Sequence, residues 1–309
     1  MAPIKLLPIK LAEPDTPAWH ARRKYGIGAS EAARACGFSD YGMKLDLYYL
    51  KTGELKPFEG NRRTRMGKKL ESAIESEFEY ESGIKVIDSP MGLYRSSENS
   101  FILATPDADL ETGDLAEWKT MNSRMAAANL GEETTENIPT EWIFQCQQQM
   151  YVMQRERVYV VVLTDFVIRT YQVHRNDKLI DGIIEAEREL WERIENRDPP
   201  EPVEHPRTIQ LARELYGVVE NMNTKNLSDA AAEAWERKRQ AGRLIRKLKA
   251  REDFEKAKVL LEIGDHYAGI LPGGEKMIRR KKIIAEVEAH TKDYVDVREV
   301  KVPKLLLKG

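Results

Sequence analysis

Cysteine is nearly absent from the 309-residue chain, with only Cys36 and Cys146 present. Two distant cysteines make no disulfide framework, and a reduced cytosolic compartment is the expectation. Long apolar runs are also missing. The longest, Val158–Leu163, falls far short of the ~20 residues that cross a bilayer as a helix. Met1–Lys10 has neither the apolar core nor the small-residue cleavage site of a secretory leader, so none is expected. No sign of charge dominates. With 49 Lys and Arg against 51 Asp and Glu, the net charge of −2 excludes a uniformly basic, histone-like binder. His20, His174, His205, His266 and His290 are scattered, without the His-Glu-x-x-His pair of zinc hydrolases. There is no Gly-x-Ser-x-Gly elbow. Gly60 and Gly67-Lys68 are wrongly spaced for a P-loop, with Lys69 where Ser or Thr is needed. Gly26-Ile27-Gly28 lacks the third glycine of a dinucleotide site.

What is present is a foldable chain, 41% hydrophobic and 32% charged, with charge unevenly spread. Residues 205–309 carry 23 Lys/Arg and 16 Asp/Glu, whereas residues 1–204 carry 26 and 35. An acidic body with a basic tail points to an anionic partner that the tail helps to hold. Residues 1–18 read as an extended arm, and Ser30 as the N-cap of a short helix ending at Gly37. Helices are expected over Lys44–Thr52 and Met66–Ser82, closed by Gly53 and Gly83. Strands are expected at Ile84–Ile87, Gly92–Tyr94, Phe101–Ala104, Leu115–Thr120, Val158–Thr164 and Val167–His174. Helices are expected over 141–155, Leu179–Glu195, 208–222 and 228–263, and a closing strand at Val295–Val302. This order suits one mixed sheet covered by helices. Pro199–Pro206 is the best linker, dividing the chain into 1–204 and a basic, mainly helical extension, 205–309.

One constellation carries chemistry. Phe101-Ile-Leu-Ala-Thr-Pro-Asp107 is followed ten residues later by Glu117-Trp118-Lys119. In a strand, Glu117 and Lys119 share a face and Trp118 takes the other. An Asp107 turn beside that strand brings two carboxylates and an ammonium together. Hard oxygen ligands of this kind suit Mg²⁺, completed by substrate phosphate. A neighbouring lysine can orient or deprotonate an attacking water. Glu-x-Lys alone is uninformative, since Glu54-Leu55-Lys56 and Glu299-Val300-Lys301 also occur, and Pro14-Asp15 repeats the Pro-Asp pair. Only Pro106-Asp107 combines a preceding apolar strand with a Glu-x-Lys at hairpin distance. A solvated hairpin with a surface ion pair is the competing reading. Glu71 lies on the edge of its helix's apolar face, where it can reach inward while Glu75 and Glu79 face water. Gln145, Gln147, Gln148 and Gln149 form either a solvated helical face or, if buried, a set that needs partners such as a metal-bound water or a phosphate.

These blocks resemble the YqaJ-type viral recombinase nucleases, relatives of the lambda-phage exonuclease within the PD-(D/E)XK superfamily. The resemblance runs from about Trp19 to about Asp198. It rests on Trp19-His20-x-x-Arg23, Ile27-Gly28-Ala29-Ser30-Glu31, Gly67-Lys68-x-x-Glu71, Thr105-Pro106-Asp107, Glu117-x-Lys119 and Gln145-x-Gln147 with Met150, in that order. It implies an α/β, restriction-endonuclease-like mixed sheet flanked by helices. It also implies that Asp107, Glu117 and Glu71 are metal ligands, joined by the Trp118 backbone carbonyl. Lys119 would act on the nucleophilic water, with Gln145 at the edge of the site. Arg23 and Ser30 would hold a 5′-terminal phosphate, which suits a guanidinium fork and a helix-start hydroxyl. Two departures stand out: Ala108 where the family usually has Gly, and bulky Trp118 where it usually has an aliphatic residue.

The resemblance further implies a Mg²⁺-dependent 5′→3′ exonuclease, with Mn²⁺ as a substitute ion. Its substrate would be double-stranded DNA ends, and its 3′ single strands would pass to a phage annealing protein. A phage or prophage origin is part of the same expectation, and a homo-oligomer is compatible with it. Cysteine usage points to a cytoplasmic setting and the missing apolar run to no membrane; the sequence itself does not reveal the oligomeric state. A PD-(D/E)XK endonuclease and a non-catalytic DNA-binding or assembly protein are the alternatives.

Overall fold

The computed structural model describes residues 7–217, 224–265, 268–270 and 277–279. The strands of the first part are β1 (Ile9–Ala12), β2 (Ile27–Gly28), β3 (Val86–Asp88), β4 (Leu93–Arg95), β5 (Ile102–Ala104), β6 (Ala108–Leu110), β7 (Leu115–Met121), β8 (Arg157–Thr164) and β9 (Val167–His174). The helices are α1 (Pro17–Arg22), α2 (Ala32–Ala35), α3 (Lys44–Thr52), α4 (Arg62–Ser82), α5 (Ser123–Asn129), α6 (Thr140–Met153), α7 (Asp177–Asn196) and α8 (Pro206–Tyr216). The expected mixed sheet flanked by helices is found as two mixed sheets. One has the order β1-β4-β5-β2 and the other β3-β6-β7-β8-β9. In the second, β7 runs parallel to β8 while every other pair is antiparallel. A parallel pair needs a crossover, and α5 and α6 supply it.

Side-chain alternation along β8 decides what covers each face. Val158, Val160 and Val162 pack with Cys146 and Met150 of α6 and with Tyr171 and Val173 of β9. Tyr159 and Val161 pack on the opposite face with Ile74 and Phe78 of α4 and with Trp118 of β7. The sheet is thus sandwiched between α4 and α6, the helices that carry Glu71 and the glutamine run.

The expected stop signals hold. Gly37, Gly53 and Gly83 follow their helices with φ of 78°, 85° and 72°, a region open to a residue without Cβ. The arm differs from expectation. β1 pairs with β4, and α1 begins at Pro17, capped by the Thr16 hydroxyl, which accepts from the Trp19 N–H at 3.2 Å. Threonine at the cap followed by proline at the first helical position is the signal that marks this start. Strands β2 and β6, of two and three residues, are too short to show a period.

The chain divides into two compact units, Met1–Gly217 and Val218–Gly309. α8 belongs to the first, where its Leu211 packs with Met43 and Leu45 and its Arg207 bonds Asp46 at 2.9 Å. In the second unit, α9 (Asp229–Ile263) is a 35-residue helix on which Arg237, Arg243, Lys249 and Arg251 pair with Glu233, Glu236, Glu252 and Glu255. β10 (Ala268–Ile270) pairs antiparallel with β11 (Met277–Arg279). The strand expected at Val295–Val302 lies outside the described residues.

Candidate active site

β7 delivers Glu117 and Lys119 to one face and Trp118 to the other, as strand geometry requires. Lys119 Nζ donates to Glu117 Oε1 at 2.5 Å. Trp118 packs on Phe78, ring centroids 5.7 Å apart. This bulky departure is accommodated in the α4 core, although its indole N–H has no partner among the described residues. The Trp118 backbone N–H donates to Asp107 Oδ2 at 2.8 Å, which fixes the turn carboxylate against the strand. Ala108 is fully buried, so the other departure is absorbed at the start of β6.

The four glutamines of α6 are all buried, and each is used. Gln145 Nε2 donates to Glu117 Oε1 at 2.6 Å, while its Oε1 accepts from Lys119 Nζ at 3.2 Å. Gln149, one turn further on, donates to Glu117 Oε2 at 2.6 Å. Gln147 bonds the His174 carbonyl and the Asn176 N–H. Gln148 bridges the Ile27 and Leu103 carbonyls of the β2–β5 pair at 2.9 and 3.0 Å. The solvated-face reading of the run is therefore wrong, and the partners are protein groups. Sequence reasoning named Gln149 in the run but did not place it beside Glu117, where its amide donates. The i, i+4 relation to Gln145 was the available signal.

One cleft gathers the rest. Glu71, Asp107, Glu117 and Gln145 line it together with Arg23, Gly28 and Ser30. Asp15, whose Pro-Asp pair has no Glu-x-Lys partner, lines the same cleft and pairs with Lys68. Glu75 and Glu79 do not simply face water. They accept from the Ser89 hydroxyl and the Val86 N–H, at 2.5 and 2.9 Å.

Ser30 is not the side-chain N-cap that its sequence position suggests. It lies inside a 3₁₀ turn, Ala29–Glu31, and the cap is Gly28, whose N–H donates to Glu31 Oε2 at 2.7 Å. The Ser30 side chain is exposed and free to face the cleft. Beneath it lies a buried ion pair. Lys51 Nζ reaches Glu31 Oε2 at 2.7 Å and the Arg23 carbonyl at 3.0 Å. The Arg23 guanidinium rests over the Trp19 ring, 4.6 Å from its centroid, with Glu31 Oε1 3.9 Å away. Glu187 of α7 is wholly buried nearby. Burial, and then the Glu31 charge, pushes its carboxyl well above the usual carboxylate range.

Charge at the cleft is unbalanced toward the negative. Burial, followed by the Glu117 charge, raises Asp107 well above its ordinary value. Burial likewise raises Glu71, with Lys68 opposing and Glu117 adding to the rise. Burial alone would lower Lys119, but Glu117 and Asp107 outweigh it and hold the ammonium charged. Among the described residues, no three carboxylate, histidine or cysteine side chains are clustered as a metal site. Both Glu117 oxygens accept hydrogen bonds from protein donors, Lys119, Gln145 and Gln149. The donor chemistry nonetheless fits a hard divalent cation, because four carboxylates, Asp15, Glu71, Asp107 and Glu117, line one cleft and oxygen ligands are what such ions take.

Residues 18–156 match the YqaJ-like viral recombinase domain. A Bacillus subtilis (strain 168) relative, described as uncharacterized protein YqaJ, is 34% identical over 190 residues, 59% of this chain. The match spans 57% of that relative's length. The alkaline exonuclease LHK-Exo from Laribacter hongkongensis, solved in complex with dAMP, is 21% identical with a TM-score of 0.50, covering 59% of this chain and 94% of that one. A phage-related exonuclease from Haemophilus somnus 129PT is 14% identical with a TM-score of 0.43, covering 56% of this chain and 94% of that one. The LHK-Exo likeness is one of fold.

Proposed function

We propose that this chain, which carries a YqaJ-like viral recombinase domain over residues 18–156, is a Mg²⁺-dependent exonuclease. It resects linear duplex DNA in the 5′→3′ direction and leaves 3′ single strands for an annealing protein. The observation that carries this reading is the single cleft shared by the Asp107/Glu117/Glu71 carboxylates and by Arg23 and Ser30. A hydrolytic centre and a grip for a terminal phosphate in one cleft favour attack at an end over attack within a strand.

Asp107, Glu117, Glu71 and the Trp118 carbonyl would hold the cation, which when bound supplies charge to offset the carboxylates and polarises the phosphodiester. Lys119 has three N–H donors. Two are spent on Glu117 and Gln145, and the third remains to orient the attacking water. Gln145 and Gln149 fix the Glu117 carboxylate so that it does not reorganise during the reaction. Attack of water at phosphorus with cleavage of the P–O3′ bond releases a 5′-mononucleotide. The shortened strand then begins with a new 5′-phosphate, the group Arg23 and Ser30 would take for the next cycle.

Incubation of linear and covalently closed circular duplexes with Mg²⁺ tests this reading. Digestion of the linear form alone is expected. Cutting of circles would turn the reading to an endonuclease, and loss of neither form to a DNA-binding protein.

A further inference from the structure

The first turns of α4 carry a concentration of charge that folding does not explain. Arg62, Arg63, Arg65, Lys68 and Lys69 fall in its first eight residues, and Glu71, Glu75, Glu77, Glu79 and Glu81 follow. The helix has no acid in its first turn and no base in its last. A helix N-terminus already bears partial positive charge, so this polarity runs against the macrodipole and costs stability. Arg62, Arg63, Arg65 and Lys69 are exposed and make no ion pair with a described residue. A solvated basic stretch kept unpaired at an unfavourable helix end calls for an anionic partner.

Helical geometry says where that partner runs. Arg62 and Lys69 lie within about 20° of each other on the outer face, and Arg65, Lys68 and Glu71 then follow in steps of about 60° around the helix. Lys68 and Glu71 already line the cleft. The same turns lie on the catalytic strand, since a Cβ at Gly67 would sit 3.4 Å from Thr120 Oγ1, next to Lys119. The cations therefore form a ramp from solvent into the cleft.

We propose that Arg62, Arg65 and Lys69 contact successive backbone phosphates of a nucleic acid strand and lead it past Lys68 to the carboxylates. The choice of nucleic acid over another anionic surface rests on the nuclease reading of the cleft, and the ramp deepens that reading. Phosphate contacts of this kind are independent of sequence and release counterions.

The test compares wild type with the double variant Arg65→Ala/Lys69→Ala, both exposed helix positions where alanine is well tolerated. Binding to a short blunt duplex is followed by fluorescence anisotropy across a salt series in Ca²⁺, and hydrolysis at saturating duplex in Mg²⁺. The double variant should lose about two units of the salt-dependence slope, equally for unrelated sequences. An unchanged slope in a folded variant overturns the ramp and leaves the nuclease reading standing. A reduced slope in a chain that never hydrolyses DNA keeps the ramp and removes the nuclease reading. Stronger binding of wild type to phosphatidylserine vesicles than to duplex would overturn the choice of partner.

Discussion

Gln149 donates to Glu117 Oε2 at 2.6 Å, one helical turn beyond Gln145, which holds Glu117 Oε1 at the same distance. Both oxygens of a buried carboxylate are thus fixed from one helix. Gln149→Leu leaves Oε2 without its donor, and outer partners of a ligating carboxylate tune its metal affinity. The Mg²⁺ concentration for half-maximal hydrolysis is expected to rise roughly 10- to 100-fold. A magnesium titration of the variant checks this, and an unchanged midpoint would make Gln149 a packing residue.

Lys51 and Glu31 form an ion pair with side chains only 4% and 9% exposed. Breaking a buried pair from one side leaves an uncompensated charge, so Lys51→Met is expected to cost about 3–5 kcal/mol of stability. Lys51→Met/Glu31→Leu should recover much of that loss, because apolar replacement of both partners is often close to neutral. Urea denaturation of the single and double variants reads both values.

Glu187 supplies a pH dependence. Its carboxyl titrates well above the ordinary value of 4.5 because it is buried beside Glu31. The folded protein then keeps a proton that the unfolded chain releases, and stability falls as pH rises from about 4.5 toward the raised value. The proton also has a use, because the buried Gln148 Oε1 has no donor among the described residues and a neutral Glu187 can provide one. Glu187→Gln removes the titration while keeping the shape. As pH climbs to neutrality, the stability difference between this variant and wild type should widen in the variant's favour, measured by denaturation at several pH values. Parallel curves would show that Glu187 is ionised in both states.

How much of this was legible in the sequence follows from period and spacing. Glu117 and Lys119 could be placed on one face because a strand has a period of two, and Asp107 beside them because Pro106-Asp107 stands at hairpin distance from that strand. Glu71 could be placed because it shares a helical face with Ile74 and Phe78. The fate of the glutamine run could not be read, because its partners, the Ile27 and Leu103 carbonyls and Glu117, come from distant segments. Ser30 misled for a related reason. Its turn is capped through Glu31 and Gly28, and that arrangement depends on Lys51 arriving from α3. β2 and β6 carry too few residues to display any period.

Arg23 is held over Trp19 and beside Glu31 and lines the cleft, where the proposed role is to take the 5′-phosphate. Wild type should degrade 5′-phosphorylated ends faster than 5′-hydroxyl ends. Arg23→Ala should lose roughly 10- to 100-fold on phosphorylated ends, the worth of a charged hydrogen bond, while its rate on hydroxyl ends stays close to that of wild type. Parallel time courses on the two substrates check this, and equal wild-type rates would remove the role.

The central claim is that the Asp107/Glu117 carboxylates form the hydrolytic centre. Asp107→Ala tests it most directly, with binding to a 5′-phosphorylated linear duplex and its hydrolysis in Mg²⁺ measured on the same preparation. The variant is expected to bind the duplex and leave it undegraded. Hydrolysis at near wild-type rates would contradict the claim.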